Sequence, residues 1–464
     1  MEERFENQGN TEYTYSVQAQ TEEYGRHGSK RNGGFGKGFL GGFVAAFVLI
    51  GVIIGGIAVG RSLSSPKPPV SGGQQSQQTG NSDESEESQP QESTVAELPD
   101  TILSEDFMTE IETIYQQMQY YYLYDIDVDA LHDGMLQGML AALGDPYSVY
   151  YNESDLDNFT TMTEGEYYGI GCMVSQDLIT GVITIVTPYV GAPAYEAGIR
   201  PGDILYAVDG EPVTGMDLDT VVVGIKGNEG TTVELTIVRE GEMDYLYFDV
   251  ERRKVEIPTV EYEMKEDQIG YIAVTSFDGV TTQQFMDAFK DLKKQGMKGL
   301  VIDMRDNGGG LLTTVEEMLD FLLPKGVIFY AKDKYGNKYL EYTSDRSAAL
   351  NVPLAILING NTASAAEVFS GNIQAFGMAT LVGTNTYGKG IMQNTYFTTP
   401  EGNTAVKLTV ADYYIHGDRN IHGIGIAPDV EVELNPEVAT QVVIADEDDN
   451  QLQEALRVVR DQLK

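Results

Sequence analysis

Ser364, in the run Asn359-Gly360-Asn361-Thr362-Ala363-Ser364-Ala365-Ala366-Glu367, and Lys389, in Thr386-Tyr387-Gly388-Lys389-Gly390-Ile391-Met392-Gln393, pair a hydroxyl with an amine in a chain of only four histidines. A serine becomes a nucleophile when a neighbouring base takes its proton, and an amine is a base only when neutral. From a free lysine value near 10.4, neutrality near pH 7 needs a depression of roughly 3 pH units, about 4 kcal/mol, which burial without a carboxylate partner can supply. No acidic residue stands close to Lys389 in sequence, and Gln393 can hold the amine by a hydrogen bond without restoring its charge. In isolation a serine at a helix start is more often an N-cap, and a lysine more often solvated.

The elements around these two residues decide how they meet. The apolar run Pro353 to Ile358 reads as a buried strand, and a helical pattern continues from the serine to about Phe376, so Ser364 sits on a strand-to-helix turn. There the first N–H groups of the helix, Ala365 among them, face any negative charge that builds beside the hydroxyl. A strand over Ala379 to Val382 returns the chain to the same sheet edge and brings up Lys389, 25 residues after the serine. A second glycine-rich turn, Ile302-Asp303-Met304-Arg305-Asp306-Asn307-Gly308-Gly309-Gly310-Leu311-Leu312, joins a strand (Gly299 to Met304) to a helix (Leu312 to Leu323). Two such units place two helix N-termini at the carboxyl edge of one sheet, where ligands are handled. Gly309 N–H is then a second oxyanion donor beside Ala365; a tight connection needing glycine only for its φ angles fits the same residues.

Two other chemistries are weaker. Gly383-Thr384-Asn385-Thr386-Tyr387-Gly388-Lys389 begins like a phosphate-binding loop, but Gly390 stands where a Ser or Thr would hold magnesium, and Met392 to Phe397 alternates like a strand. Ser364, Asp412 or Asp418, and His416 or His422 follow the chain order of an α/β-hydrolase triad, yet Ser364 lacks the Gly-x-Ser-x-Gly elbow.

The 464 residues suffice for more than one globular domain. A net charge of −41 excludes nucleic acid as a partner, since phosphates would be repelled. The single Cys172 allows no internal disulfide and reads as a small buried apolar residue. Gly38 to Gly60 is uncharged, largely apolar and 23 residues long, about 34 Å as a helix, enough to cross a bilayer. Arg26, Lys30, Arg31 and Lys37 before it, against Arg61 and Lys67 after it, predict a cytoplasmic N-terminus and an extracytoplasmic remainder; Ala58 and Gly60 leave a cleaved signal as the minority reading. Residues 61–98, rich in Ser, Gln, Glu, Gly and Pro, predict a flexible tether. Helical spacing then runs from Thr101 through Met118 and again from Val128 to Leu143, with Tyr120, Tyr121, Tyr122 and Tyr124 expected in core or dimer packing. The acidic run Asp446 to Asp449 reads as a solvated turn ahead of a helix over Asn450 to Gln462.

The serine, lysine and glycine-turn motifs, with Arg419-Asn420-Ile421-His422-Gly423-Ile424-Gly425-Ile426-Ala427-Pro428-Asp429 downstream, resemble the C-terminal processing peptidases, or tail-specific proteases, of serine peptidase family S41 over roughly residues 100 to 464. The resemblance implies Ser364 as nucleophile, Lys389 as general base and Gln393 as the residue orienting it. Two departures are Gly308, where relatives often carry proline, and Thr362 and Ala366, where serines are common. Between Tyr167 and Glu251 the period switches to two, and Tyr168-Gly169-Ile170-Gly171 with Gly198-Ile199-Arg200-Pro201-Gly202-Asp203-Ile204-Leu205 resembles a PDZ domain. Such domains take a free C-terminus in a backbone nest and add the peptide to a sheet edge. That implies a nest at Gly169, Ile170 and Gly171, a receiving strand from Cys172 to Ser175, a facing helix from Asp217 to Ile225, and a pocket lined by Ile170 and Val222 that suits an apolar terminal residue.

The expected architecture is therefore multidomain α/β and β: a cytoplasmic tail 1–37, a transmembrane helix 38–60, a linker 61–98, an N-terminal helical region 99–160, a PDZ domain 161–254, an α/β protease core of ClpP/crotonase-like type 255–433, and a C-terminal helical region 434–464. The expected activity is cleavage of protein tails by a membrane-anchored serine endopeptidase, with no metal or other cofactor. The family resemblance further implies a homodimer formed by the N- and C-terminal helices. A PDZ scaffold that binds C-termini without cleaving them is the alternative; loss of Ser364 or Lys389 would have favoured it, and both are present.

Overall fold

The computed structural model describes residues 103–464 apart from 346–349, 440 and 442–443. The expected tail, transmembrane segment and linker lie outside the described residues, among which no helix is long and apolar enough to cross a membrane.

The site-bearing body is built on a six-stranded sheet in the order Val260–Met264, Ile269–Val274, Gly299–Asp303, Leu354–Ile358, Thr380–Gly383, Val430–Glu431. All neighbours but the first pair run parallel. Ile269–Val274, Gly299–Asp303 and Leu354–Ile358 are buried at every position, which is why they read as near-continuous apolar runs. Alternate side chains divide between two layers. Ile272, Leu300, Ile302, Leu354, Ile356 and Ile358 meet Phe285, Met318 and Phe369 from the helices Thr281–Lys294, Leu312–Leu322 and Ala365–Ala375. Tyr271, Val301, Ala355 and Leu357 meet Leu452, Ala455 and Val459 of the C-terminal helix Asn450–Gln462. That helix thus uses its apolar face within its own chain.

Asp449, expected in a solvated turn, is buried instead: it caps the C-terminal helix through Leu452 N and pairs with Arg305 at 2.8 Å. Arg305 also pairs with Asp303 at 2.6 Å, so the helix start is clamped to the end of a central strand.

A second sheet is antiparallel and centres on the long strand Ala405–Ile415, flanked by Val149–Tyr151, Gly326–Asp333, Ile391–Phe397 and Arg419–Asn420, with Lys338–Ser344 at its edge. It shares the main core through Phe329, Met392 and Tyr413.

Residues between Glu166 and Glu256 form a body with its own core of Ile170, Ile183, Ile185, Leu205, Leu235 and Ile237. Its antiparallel sheet runs Cys172–Gln176, Ile183–Pro188, Ile204–Val208, Thr232–Val238, Leu246–Glu251, leaving Cys172–Gln176 at an edge. A ribbon of Glu166–Gly169 and Arg253–Glu256 carries the chain in and out.

The first helix, Glu105–Tyr121, starts at a Ser104 cap and buries no residue, and the second, Val128–Ala141, buries only Leu140. Tyr120 and Tyr121 are 80% and 77% exposed, so the tyrosine cluster is not core among the described residues.

Candidate active site

Three loops leave the carboxyl edge of the parallel sheet side by side, after Asp303, Ile358 and Gly383, whose strands are adjacent in register. The first carries the glycine turn, the second Ser364, the third Lys389.

Ser364 has φ 55° and ψ −118°, a conformation L-residues rarely adopt. The surrounding turn enforces it: Thr362 Oγ1 donates to Met304 O at 2.8 Å, Ala363 N to Asn307 O at 2.9 Å, and Ser364 N to Glu367 Oε2 at 2.8 Å. The strained turn that the Gly-x-Ser-x-Gly signature would announce is therefore present without that signature. Ser364 and Glu367 close a capping-box arrangement at the helix start: Ser364 N donates to Glu367 Oε2, and Glu367 N donates to Ser364 O at 2.9 Å.

Ala365 N–H, at the first helical position, has no acceptor among the described residues. Gly309 does something other than the expected donation. Its N–H is given to Asn307 Oδ1 at 2.8 Å, and the fully buried Asn307 is fixed from its other end by Nδ2 donating to Val274 O at 2.9 Å. What Gly309 supplies in this state is room: at φ 107°, a Cβ there would stand 2.9 Å from Ser364 Cβ and 3.0 Å from Ala365 N. Gly308 has no positive φ and nothing within 4 Å of a would-be Cβ, so this departure from the family costs the turn nothing.

The lysine loop rests on the Arg419–Asp429 motif. Gly423 N donates to Gly388 O at 2.8 Å, and side chains at Gly388 or Gly390 would strike the backbone of Gly425 or His422. Two residues tie this loop to the serine turn. The buried Glu367 carboxylate accepts from Ser364 N, Lys389 N and Gly388 N, each at 2.8 Å, and from Thr386 Oγ1 at 2.5 Å. The buried Tyr413 hydroxyl donates to Lys389 O and shares its proton with Ser364 O at 3.2 Å. Sequence reasoning missed both: Glu367 looks like an ordinary acid in a first helical turn, and Tyr413 like one residue of an alternating strand.

The Lys389 amine is half-buried, 4.3 Å from the centroid of the Tyr147 ring. Burial, with the nearby Lys407 ammonium, brings its pKa down to about 8, against the opposing pull of Asp145 and Glu367. These carboxylates reach it through space, which the absence of acids around Lys389 in sequence did not reveal. Among the described residues no hydrogen bond joins Lys389 Nζ to Ser364 Oγ. Gln393 lies just beyond the lysine loop at a shift in strand register, and its Nε2 donates to Thr409 Oγ1 at 3.2 Å. Among the described residues no hydrogen bond joins it to the amine.

His416 Nδ1 donates to Val327 O at 2.9 Å, and its ring packs on Phe376 with centroids 4.0 Å apart, so this histidine is held by structural partners. Gly171 of the expected peptide nest has φ 74°, Ile170 is buried in its domain's core, and Val222 on the helix Leu218–Ile225 is half-buried. Burial pushes the Cys172 thiol up to about 12, which removes it as a nucleophile.

An α/β core with a serine on a strained strand-to-helix turn and an inserted β-domain is an arrangement that suits a serine-type peptidase. The sequence matches peptidase family S41 over residues 268–432, a PDZ domain over 184–239, and the N-terminal domain of the activating protease CtpB over 70–155. It is 36% identical over 321 residues to the carboxy-terminal processing protease CtpA of Bacillus subtilis (strain 168), covering 69% of this chain and 68% of that protein. CtpB of the same organism is 32% identical over 330 residues, covering 70% and 68%. Among solved structures, a photosystem II D1 C-terminal processing protease aligns at 29% identity with a TM-score of 0.41, over 73% of this chain and 92% of that one. The chain belongs to the carboxy-terminal processing proteases of peptidase family S41.

Proposed function

We propose that this peptidase is anchored in the cell membrane by residues 38–60, with its N-terminus cytoplasmic, and that its extracytoplasmic part cleaves proteins whose C-terminal tails its PDZ domain captures. The tail's carboxylate enters the nest at Gly169, Ile170 and Gly171, and its last residues add to the edge strand that begins at Cys172. Ile170 and Val222 favour an apolar final side chain.

In the reaction, neutral Lys389 takes the proton of Ser364 as its oxygen attacks the scissile carbonyl. Ala365 N–H stabilises the oxyanion, and Gly309 N–H joins it when Asn307 releases that donor. Lys389 then gives its proton to the leaving amine and later activates the water that frees the acyl group. Gln393 orients the amine as the tail seats. Two chains pair through the exposed helices Glu105–Tyr121 and Val128–Ala141. The observation that carries this reading is the double tie by Glu367 and Tyr413, which binds the serine and lysine backbones into one unit.

The test is cleavage of a protein with an unstructured, apolar C-terminal tail by full-length protein. Ser364→Ala and Lys389→Ala lose cleavage, while His416→Ala and His422→Ala keep it. Tail binding without cleavage by the folded wild type would instead favour the scaffold reading.

A further inference from the structure

Every residue assigned to the chemistry so far lies between Asn307 and Tyr413, yet the Lys389 amine faces a residue from the N-terminal region. Tyr147 belongs to the turn between the helix Val128–Ala141 and the strand Val149–Tyr151. The turn is firmly built. Asp145 Oδ1 accepts from Tyr147 N at 3.0 Å, and Asp145 Oδ2 from Ser148 Oγ at 2.6 Å. Ser148 Oγ in turn accepts from Thr409 N at 3.1 Å, and the following strand pairs Val149 with Lys407. Thr409 is also the residue that holds Gln393. The turn therefore delivers the Tyr147 ring to within 4.3 Å of Lys389 Nζ, with the phenol oxygen 3.3 Å from the Tyr387 hydroxyl.

We propose that Tyr147 is a positioning residue of the proteolytic site, whose ring holds the Lys389 amine in place and shields it from water. This rests on Lys389 being the general base. The groups around the amine are Asp145 on the same turn, Lys407 on the long strand, Glu367 on the serine helix, and Tyr387 and Tyr413 beside the lysine loop. Asp145 and Glu367 favour the ammonium, and Lys407 opposes it. A ring face also attracts an ammonium, but the same face displaces water, and loss of hydration disfavours the charged form. Burial is the largest influence on Lys389, and the Tyr147 ring, 4.3 Å away, is part of what covers the amine.

The experiment compares the pH dependence of kcat/KM for full-length wild type, Tyr147→Phe and Tyr147→Ala, with Lys389→Ala as the control for the base. Tyr147→Phe, which keeps the ring, retains the wild-type acid limb. Tyr147→Ala admits water, moves that limb up by about one pH unit and lowers kcat/KM at pH 7 about tenfold, chiefly in kcat. A limb that stays in place or moves down in Tyr147→Ala overturns the shielding role, and equal losses in the Phe and Ala variants assign the effect to the hydroxyl and overturn it as well. Should Tyr147→Ala melt early, Tyr147→Leu fills the space without a ring and carries the same expectation. Cleavage surviving in Lys389→Ala would remove the base itself, a failure distinct from that of Tyr147.

Discussion

Glu367→Gln keeps the shape of a side chain and removes its charge at the point where the serine and lysine loops join. The carboxylate accepts four hydrogen bonds in a fully buried position, two on each oxygen. A glutamine offers one oxygen. Turned to keep Ser364 N and Lys389 N, its amide nitrogen confronts Gly388 N–H and the Thr386 hydroxyl. Thr386 Oγ1 already accepts from Ile426 N at 2.7 Å and can turn to accept a second bond, whereas Gly388 N–H is left without an acceptor. Turned the other way, two main-chain N–H groups are orphaned. The better orientation costs about 1–3 kcal/mol for the orphan and about 1 kcal/mol for each bond that loses charge assistance. Relief from burying a carboxylate offsets part of this, for a net loss of about 3 kcal/mol. Guanidinium unfolding of the protease core reads the stability change, and kcat/KM should fall by about 100-fold or more as the two loops lose their common anchor. A Glu367→Gln protein within about 0.5 kcal/mol of wild type and within about threefold of its activity would refute the argument.

Other perturbations follow from the same geometry. Lys407, whose ammonium lies 5.3 Å and 5.1 Å from the Tyr151 and Phe159 ring centroids, disfavours charge on Lys389; Lys407→Met should move the acid limb of kcat/KM upward, measured from pH 6 to 10. Lys389→Met abolishes cleavage but stabilises the fold. With a folded pKa of about 8 below the unfolded value, the cost of burying the ammonium is fully present below pH 8 and is relieved as pH rises toward the unfolded value. The gain in unfolding free energy at pH 7 should be about 2 kcal/mol and should vanish above about pH 10.5. Gly309→Ala places a methyl against Ser364 Cβ and Ala365 N at an unfavourable φ, so kcat/KM should drop about 100-fold or more, with about 1–3 kcal/mol of destabilisation in a melting experiment. Lys226, 5.4 Å from the Tyr167 ring at the end of the helix Leu218–Ile225, makes no ion pair among the described residues and stands near the nest proposed at Gly169. Lys226→Glu should weaken a free-acid tail several-fold in a fluorescence binding assay and leave its C-terminal amide unchanged.

Much of the scaffold was legible because its signals are local. The run Pro353 to Ile358 gives the strand Leu354–Ile358, the helical pattern from the serine ends at Ala375, and the helix expected over Asn450 to Gln462 has those bounds. The ties that assemble the site were not legible, because each joins residues from separate segments with no local mark. Glu367 reaches the lysine loop, Tyr413 comes from a distant strand, and Tyr147 arrives from a region that periodicity described only as helical. Gly309 illustrates a second limit: a sequence shows that glycine is needed, yet the Asn307 side chain decides whether its N–H is free. Charge pattern misled at Asp449, where an acidic run that suggested solvent conceals a buried partner for Arg305.

The most direct test of neutral Lys389 as the base for Ser364 is the pH dependence of kcat/KM for full-length wild type on an apolar-tailed substrate. The account predicts activity rising about tenfold per pH unit through the acidic range and levelling near pH 8, with none at any pH in Lys389→Ala. A limb near pH 6.5, in the range of histidine, or activity unchanged down to pH 6 in folded protein, would contradict it.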